Sequence, residues 1–134
     1  MVALDTNVLL YACDRADSRR QQIAIDLVAN SRDGILLWQV ACEFVAASRK
    51  LSAQGFTASD AWSRLREFLS LLRLILPTAS VLERGQRLHA THGVSSWDAL
   101  ILAACAEARV DILYSEDVPG LPTLGALQVV NPFR

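Results

Sequence analysis

The sequence predicts an α/β fold in which a short parallel β-sheet lies between helices on both of its faces, as a single domain over residues 1–134. Three observations lead to this prediction. A chain of 134 residues has the length of one ordinary domain and can bury a sizeable core. Hydrophobic residues make up 52% of it and charged residues 20%, which is the composition of a folded globular protein. Short apolar runs typical of buried strands alternate with longer segments of helical periodicity.

In the first half of the chain, two short apolar runs predict strands and two longer segments predict helices. The polar residues Asp5, Thr6 and Asn7 end the first strand. Asp17 or Ser18 can cap the first helix through a side-chain oxygen. In chain order, the predicted elements are a strand over residues 2–4, a helix from residue 17 or 18 that ends at residues 33–34, a strand over 35–38, a helix over about 39–50 and a loop at 54–55.

The second half of the chain predicts three helices and three strands. Thr57 and Asp60 have the spacing of a capping box, with a hydroxyl and an acid three residues apart. Pro77 ends a short strand, and Ser95 can cap the last helix. The predicted elements are a helix to about residue 72, a strand over 74–76, a helix over 79–91, a helix over 96–108, and strands over 112–114 and 127–130.

Charge and cysteine content exclude several classes of protein. A net charge of −1, from 13 basic and 14 acidic residues, excludes a histone-like polycation. Lys50 is the only lysine, and the excess of arginine agrees with either phosphate contacts or a GC-rich genome. Cys13, Cys42 and Cys105 each lie in an apolar stretch, which predicts buried, reduced thiols. Since the sequence predicts neither a membrane span nor a secretory signal, we expect a cytoplasmic protein without a membrane partner.

Four acids are candidate site residues because of where they fall in this pattern. Asp5 and Asp117 follow two predicted strands, although an aspartate there is often only a turn residue. Glu43 is the only charged residue in an apolar helical run, so it must find a partner, a cation or solvent. Asp98 opens a helix, where it could instead close a capping box with Ser95.

If these four acids converge, the sequence predicts a metal site. Parallel α/β folds place their sites outside the carboxyl ends of the strands, where the four acids are expected. Unpaired carboxylates in one cleft repel one another, and a divalent cation relieves that repulsion. Oxygen ligands favour Mg²⁺, with Mn²⁺ as a substitute. Apart from these four acids, the chain has 10 acidic and 13 basic residues. This excess of positive charge suits binding to a phosphate backbone.

The chain resembles the PIN domain family over nearly its whole length, and most closely the VapC-type ribonuclease toxins of bacterial toxin–antitoxin pairs. Each of the motifs is weak by itself, but together they are specific because they occur in the expected order and at the expected separations. The ending Val-Val-Asn-Pro-Phe is also typical of the family. The four motifs are Leu-Asp-Thr-Asn-Val-Leu-Leu-Tyr from residue 4, Gln-Val-Ala-Cys-Glu-Phe from 39, Trp-Asp-Ala-Leu-Ile from 97 and Leu-Tyr-Ser-Glu-Asp from 113.

The resemblance implies a role for each matching residue. Asp5, Glu43, Asp98 and Asp117 correspond to the acidic quartet that holds the metal and carries the catalysis. Polar residues around them are candidates for supporting contacts, and Glu116 is also a rival to Asp117 for the fourth position. These residues are Thr6, Asn7, Ser115 and Glu116. The segment after Asp117 departs from the family, because it is stiffer and more apolar than the usual glycine-ended loop.

From this resemblance we expect a Mg²⁺-dependent endoribonuclease that cuts structured RNA of the tRNA or rRNA class. Its expected partners are the RNA substrate, a VapB-like antitoxin protein and a second copy of the chain in a homodimer. Trp38, Phe44, Trp62 and Phe68 lie on elements expected to flank an apolar groove for the antitoxin, although each agrees equally with ordinary core packing. The alternatives are a housekeeping PIN nuclease without an antitoxin and a catalytically silent RNA-binding module. A phosphatase with Asp5 as nucleophile is a weaker alternative, because residue 7 is not the second aspartate it requires.

Overall fold

The computed structural model describes all residues, 1–134, and contains one five-stranded sheet with the strand order β3-β2-β1-β4-β5. All four strand pairs are parallel. The strands are β1 (Val2–Leu4), β2 (Gly34–Leu37), β3 (Arg73–Ile75), β4 (Ile112–Tyr114) and β5 (Gln128–Val130). The α/β fold with a parallel sheet, predicted from alternating apolar runs and helical segments, is therefore confirmed.

Six α-helices connect the strands. Every residue of β2 is buried, as expected of a strand covered on both faces of the sheet. Short 3₁₀ helices follow α3, over Ser48–Gln54, and precede β5, over Pro122–Leu124. The α-helices are α1 (Thr6–Cys13), α2 (Ser18–Asn30), α3 (Trp38–Ala47), α4 (Ala58–Leu71), α5 (Ala79–His92) and α6 (Ser96–Glu107).

The connections reverse their direction across the sheet at β1. From β1 the chain moves outward through β2 to β3, then returns past β1 to form β4 and β5 on the other side. Because parallel crossovers are right-handed, this reversal places α5 and α6 on the face opposite α1–α4. The carboxyl ends of β1 and β4, which are direct neighbours, form the switch point where sites of such folds are found.

Several element boundaries differ from the prediction, and one helix was missed. The sequence predicted only that the first strand ends at Asp5. In the structure Asp5 also caps α1, whose residues are almost all apolar and buried. Such a helix has no polar face, so no helical periodicity marks it. Trp38 begins α3 instead of ending β2, and the segment after Ala47 is a 3₁₀ helix up to Gln54. The predicted capping box of Thr57 and Asp60 is present.

The core contains 32 buried hydrophobic residues in one cluster. Phe44 and Phe68 lie inside it in edge-to-face contact, with ring centroids 5.3 Å apart. For Phe44 and Phe68 the alternative of ordinary core packing is therefore correct, whereas Trp38 and Trp62 are exposed. The three cysteines are free, but only Cys13 and Cys105 are buried; Cys42 is exposed, because its position on α3 faces away from the core.

No helix in the structure is both long enough and apolar enough to cross a membrane.

Candidate active site

Asp5 occupies the centre of the switch point. It directly follows β1, caps the N-terminus of α1 and is only 8% exposed. Its Oδ1 accepts a 2.8 Å hydrogen bond from the backbone N–H of Thr6, and its Oδ2 accepts one of 2.7 Å from the hydroxyl of Ser115. The N-terminal end of the helix also favours a negative charge at this position. The carboxylate is thus held in one orientation by elements that follow both central strands.

Burial raises the pKa of Asp5 above its ordinary value of 3.8. The hydrogen bonds from Ser115 and Thr6 act in the opposite direction, because they stabilise the carboxylate, while the negative charges of Glu43 and Asp98 raise the pKa further. The sequence predicted mutual repulsion of the acids, and the structure adds that desolvation is the larger cause. A buried carboxylate near two other acids is a group that a bound cation would stabilise.

Glu43 lies on α3 and is oriented by two neutral donors. The hydroxyl of Thr6 donates a 2.7 Å hydrogen bond to its Oε2, and the indole N–H of Trp97 donates one of 2.6 Å to the same oxygen. Its Oε1 accepts no hydrogen bond from the protein, so this oxygen is available to a cation or a water molecule. The half-buried glutamate in the apolar run therefore has partners, but none of them is a cation.

Asp98 is the third residue of α6 and forms only half of the possible capping box. The hydroxyl of Ser95 accepts a 3.1 Å hydrogen bond from the backbone N–H of Asp98. The carboxylate of Asp98 makes no return bond and accepts no hydrogen bond from any other group. Both of its oxygens are therefore free, and its negative charge acts on Asp5. A pure capping role does not account for this carboxylate.

Asp117 and Glu116, the two rivals for the fourth position, have different partners. The side-chain amide of Asn7 donates a 2.6 Å hydrogen bond to Oδ2 of Asp117, and the hydroxyl of Ser115 accepts one of 3.2 Å from the Asp117 backbone N–H. Asp117 is thus connected to residues next to Asp5. Glu116 instead accepts a 2.8 Å hydrogen bond from the phenol of Tyr11 and lies 3.7 Å from the guanidinium of Arg20.

None of the four quartet acids forms an ion pair with an arginine, a lysine or a histidine. The structure also contains no group of three or more His, Cys, Asp or Glu side chains arranged to hold a metal ion. The donor chemistry nevertheless fits a hard divalent cation. Three acids have carboxylate oxygens without a hydrogen bond, and the charges of two acids act on the buried Asp5. The acids with a free oxygen are Glu43, Asp98 and Asp117.

Two contacts of this site were not expected from the sequence. Trp97 was noted only as part of a motif, although its position next to Asp98 placed it beside the acids. Tyr11 was noted in the same way, and its bond to Glu116 spans 105 residues, so local sequence carries no signal for it. Three arginines close together in the sequence are engaged within the protein: Arg15 donates to the carbonyl of Gln54, Arg19 to that of Phe133, and Arg20 pairs with Asp17.

The chain belongs to the PIN domain family, since the PIN domain family model matches residues 2–118. Its fold is similar to that of VapC20 of Mycobacterium tuberculosis, a sarcin-ricin loop cleaving toxin, with a TM-score of 0.70 and 18% identity over 87% of this chain and 90% of that chain. It is also similar to a toxin–antitoxin complex from Klebsiella pneumoniae, with a TM-score of 0.69 and 22% identity over 98% of both chains.

A third similar structure is that of VapBC2 from Rickettsia felis bound to a promoter DNA fragment, with a TM-score of 0.68 and 19% identity over 98% of both chains. These TM-scores establish a shared fold, and at such low sequence identities they establish the fold alone. Among curated proteins, none matches the sequence.

Proposed function

We propose that this protein is a Mg²⁺-dependent endoribonuclease and the toxin of a type II toxin–antitoxin pair, active in the cytoplasm as one nuclease domain over residues 1–134. One observation carries the proposal. Around the buried Asp5, at the switch point of a PIN-family sheet, three further acids have free carboxylate oxygens and no cationic partner. Charged groups that repel one another in this way are typical of functional sites.

In this proposal the acids have separate tasks. Asp5, Asp98 and Asp117 hold the metal, and Glu43 either holds it or orients the attacking water through its free Oε1. Thr6 and Trp97 keep Glu43 in place, while Ser115 and Asn7 do the same for Asp5 and Asp117. When bound, a divalent cation would supply Lewis-acid activation of water and neutralise charge on the scissile phosphate.

The proposed substrate is structured RNA of the tRNA or rRNA class, cut in a single-stranded loop. Proteins reach unstacked bases in loops more easily than bases inside an A-form duplex. A structural relative of this chain is a toxin that cleaves the sarcin-ricin loop, which supports an RNA loop as the substrate. Mapping of cleavage ends in cells that express the protein tests this point, and cuts spread evenly along duplex RNA would contradict it.

The proposed regulator is a VapB-like antitoxin that inserts an arginine among the acids. A guanidinium binds carboxylates through two parallel hydrogen bonds, so it would compete with the metal. Similar folds are found in toxin–antitoxin complexes, which supports a protein partner. The free oxygens of Glu43, Asp98 and Asp117 are the acceptors that such an arginine requires.

We also propose a homodimer through the β3 edge of the sheet. β3 pairs only with β2, so its other edge is open, and three large apolar side chains in β3 or in the segment that follows it along the chain are exposed. These are Leu74, Leu76 and Leu82. Sedimentation should give a dimer for the wild-type protein and a monomer for Leu82→Glu. A monomeric wild-type protein would contradict the proposal.

Cleavage of total RNA by the purified protein tests the proposed activity. EDTA should abolish cleavage, and added Mg²⁺ or Mn²⁺ should restore it. Asp98→Asn should remove activity, because it removes a free carboxylate of the site, while Glu83→Gln, an exposed acid on α5, should retain it. Full activity in EDTA, or equal activity of both variants, would contradict a metal-dependent site at these acids.

Expression without a partner tests the toxin role. The wild-type protein should be poorly tolerated by itself and well tolerated with its cognate antitoxin, and Asp98→Ala should be tolerated in both cases. A wild-type protein that cleaves RNA but is harmless would favour a housekeeping nuclease. A protein that binds RNA without cleaving it in Mg²⁺ would favour a silent RNA-binding module.

A further inference from the structure

The indole of Trp97 is unusual among the three tryptophans because its N–H is bonded inside the protein. It donates to Oε2 of Glu43 at 2.6 Å, whereas the indole N–H groups of Trp38 and Trp62 donate to no protein group. This bond joins the first turn of α6 to α3 and limits the rotation of the ring. Trp97 is therefore held in place, unlike a free surface tryptophan.

Although its polar atom is bonded, Trp97 remains 40% exposed. The N–H is the only polar atom of an indole, so the rest of the ring can offer only aromatic carbon to a ligand. The ring lies one residue from Asp98 and in direct contact with Glu43. A rigid, exposed aromatic surface beside the acids is an arrangement that a single-stranded nucleic acid can use.

The surrounding charge decides which part of RNA this surface suits. Glu43 and Asp98 are negative and have no cationic partner, so they repel a phosphate group that is not bound through a cation. A nucleobase is neutral and stacks on an aromatic ring with little dependence on sequence. Because the ring orientation is already fixed, stacking costs little additional conformational entropy.

We propose that Trp97 stacks on an unpaired RNA base adjacent to the scissile phosphate and so selects single-stranded over duplex RNA. The inference rests on the proposed nuclease function. Trp97 then has two separable roles: its N–H positions Glu43, and its ring binds substrate. The first role should affect kcat, and the second should affect KM.

Two variants separate these roles. Trp97→Phe and Trp97→Leu both remove the N–H that positions Glu43, so any loss of kcat should be common to both. Only Trp97→Leu also removes the aromatic surface. Its KM for a loop-containing RNA should therefore be about 10-fold higher than the KM of Trp97→Phe. Trp62→Phe, on the exposed side of α4, is the matched control and should leave both constants unchanged.

Fluorescence gives a second measurement that does not depend on cleavage. In a protein that carries Trp38→Phe, Trp62→Phe and the inactivating Asp5→Asn, Trp97 is the only tryptophan, so selective excitation of tryptophan reports on it alone. Single-stranded RNA in Mg²⁺ should quench this emission, and a duplex of the same sequence should not. The corresponding protein that retains Trp62 instead of Trp97 should show no quenching.

The outcomes distinguish this inference from the function on which it rests. Equal KM values for Trp97→Phe and Trp97→Leu, together with unquenched emission, would overturn the proposed stacking. The proposed nuclease function would still stand if the wild-type protein cleaves RNA. Emission that responds only to the antitoxin would also overturn stacking, because the surface would then serve a protein. Absence of cleavage by the wild-type protein in Mg²⁺ and Mn²⁺ would refute the nuclease function itself.

Discussion

The hydroxyl of Ser115 donates a 2.7 Å hydrogen bond to Oδ2 of Asp5, which lies 110 residues earlier in the chain. The same oxygen of Ser115 accepts hydrogen bonds from the backbone N–H groups of Asp117 and Val118, at 3.2 and 3.0 Å. One buried hydroxyl therefore connects the acid after β1 to the backbone of the acid after β4. This network uses the single donor and both lone pairs of the serine.

Ser115→Ala should destabilise the protein and weaken its activity. The substitution removes three hydrogen bonds at a site that is 2% exposed, so the free energy of unfolding should fall by about 1–3 kcal/mol. Urea denaturation measures this change. Ser80→Ala, at an exposed position of α5, is the control and should change it by less than about 0.5 kcal/mol. Equal effects of the two variants would show that the network contributes nothing.

The stability of the protein should depend on pH through Asp5. Burial raises its pKa in the folded state, so the folded protein binds this proton more tightly than the unfolded chain does. The contribution of Asp5 to the free energy of unfolding is therefore largest at low pH and decreases as the pH rises through the raised pKa. Asp5→Asn does not titrate, so it lacks this contribution.

Chemical denaturation in metal-free buffer measures this dependence. The free energy of unfolding of the wild-type protein minus that of Asp5→Asn should decrease as the pH rises from 3.8 through the raised pKa of Asp5. The constant cost of replacing one carboxylate oxygen by an amide cancels in this comparison. A difference that stays constant, or that increases with pH, would contradict a raised pKa at Asp5.

Asp117, not Glu116, should be the fourth acid of the site. Asp117 is bonded to Asn7 and has one free oxygen, while Glu116 is engaged by Tyr11 and Arg20. Asp117→Asn should therefore abolish RNA cleavage, and Glu116→Gln should largely retain it. The two variants are matched controls for each other in the cleavage assay. The reverse result would assign the fourth position to Glu116.

The phenol of Tyr11 reports on its contact with Glu116. Burial and the hydrogen bond to the negatively charged Glu116 raise the pKa of Tyr11 above 10.0. Absorbance titration should detect this high pKa, and Glu116→Gln should lower it towards the ordinary value. An unchanged titration in Glu116→Gln would show that the contact with Glu116 does not influence the phenol.

Gly85 should tolerate no large side chain, because it lies where α5 packs on α6. A Cβ atom at this position would come within 2.8 Å of Cδ2 of Leu100. Gly85→Val should therefore lower the free energy of unfolding by about 1–3 kcal/mol. Gln86→Val, at the exposed neighbouring position, controls for the helix propensity of valine and should cost less than about 0.7 kcal/mol. Thermal or urea denaturation measures both variants. A similar decrease in the free energy of unfolding for Gly85→Val and Gln86→Val would contradict close packing at Gly85.

The sequence by itself determined the features that depend on neighbouring residues. Apolar runs and helical periodicity predicted the parallel α/β fold, and the capping box of Thr57 and Asp60 forms because its partners are three residues apart. The position of Asp5 directly after a strand identified it as a candidate. The placement of Glu43, alone among apolar residues, did the same.

Only the tertiary structure decided the features that depend on distant partners. The helix α1 is buried on nearly all sides, so it has no amphipathic pattern, and its formation depends on packing. Glu116 contacts Tyr11 and Arg20, whereas Asp117 accepts a hydrogen bond from Asn7. These partners lie far away in the chain, and they distinguish the two neighbouring acids. Likewise, Trp97 reaches Glu43 across 54 residues. A short-range pattern carries no information about such contacts, because they form only when separate elements pack together.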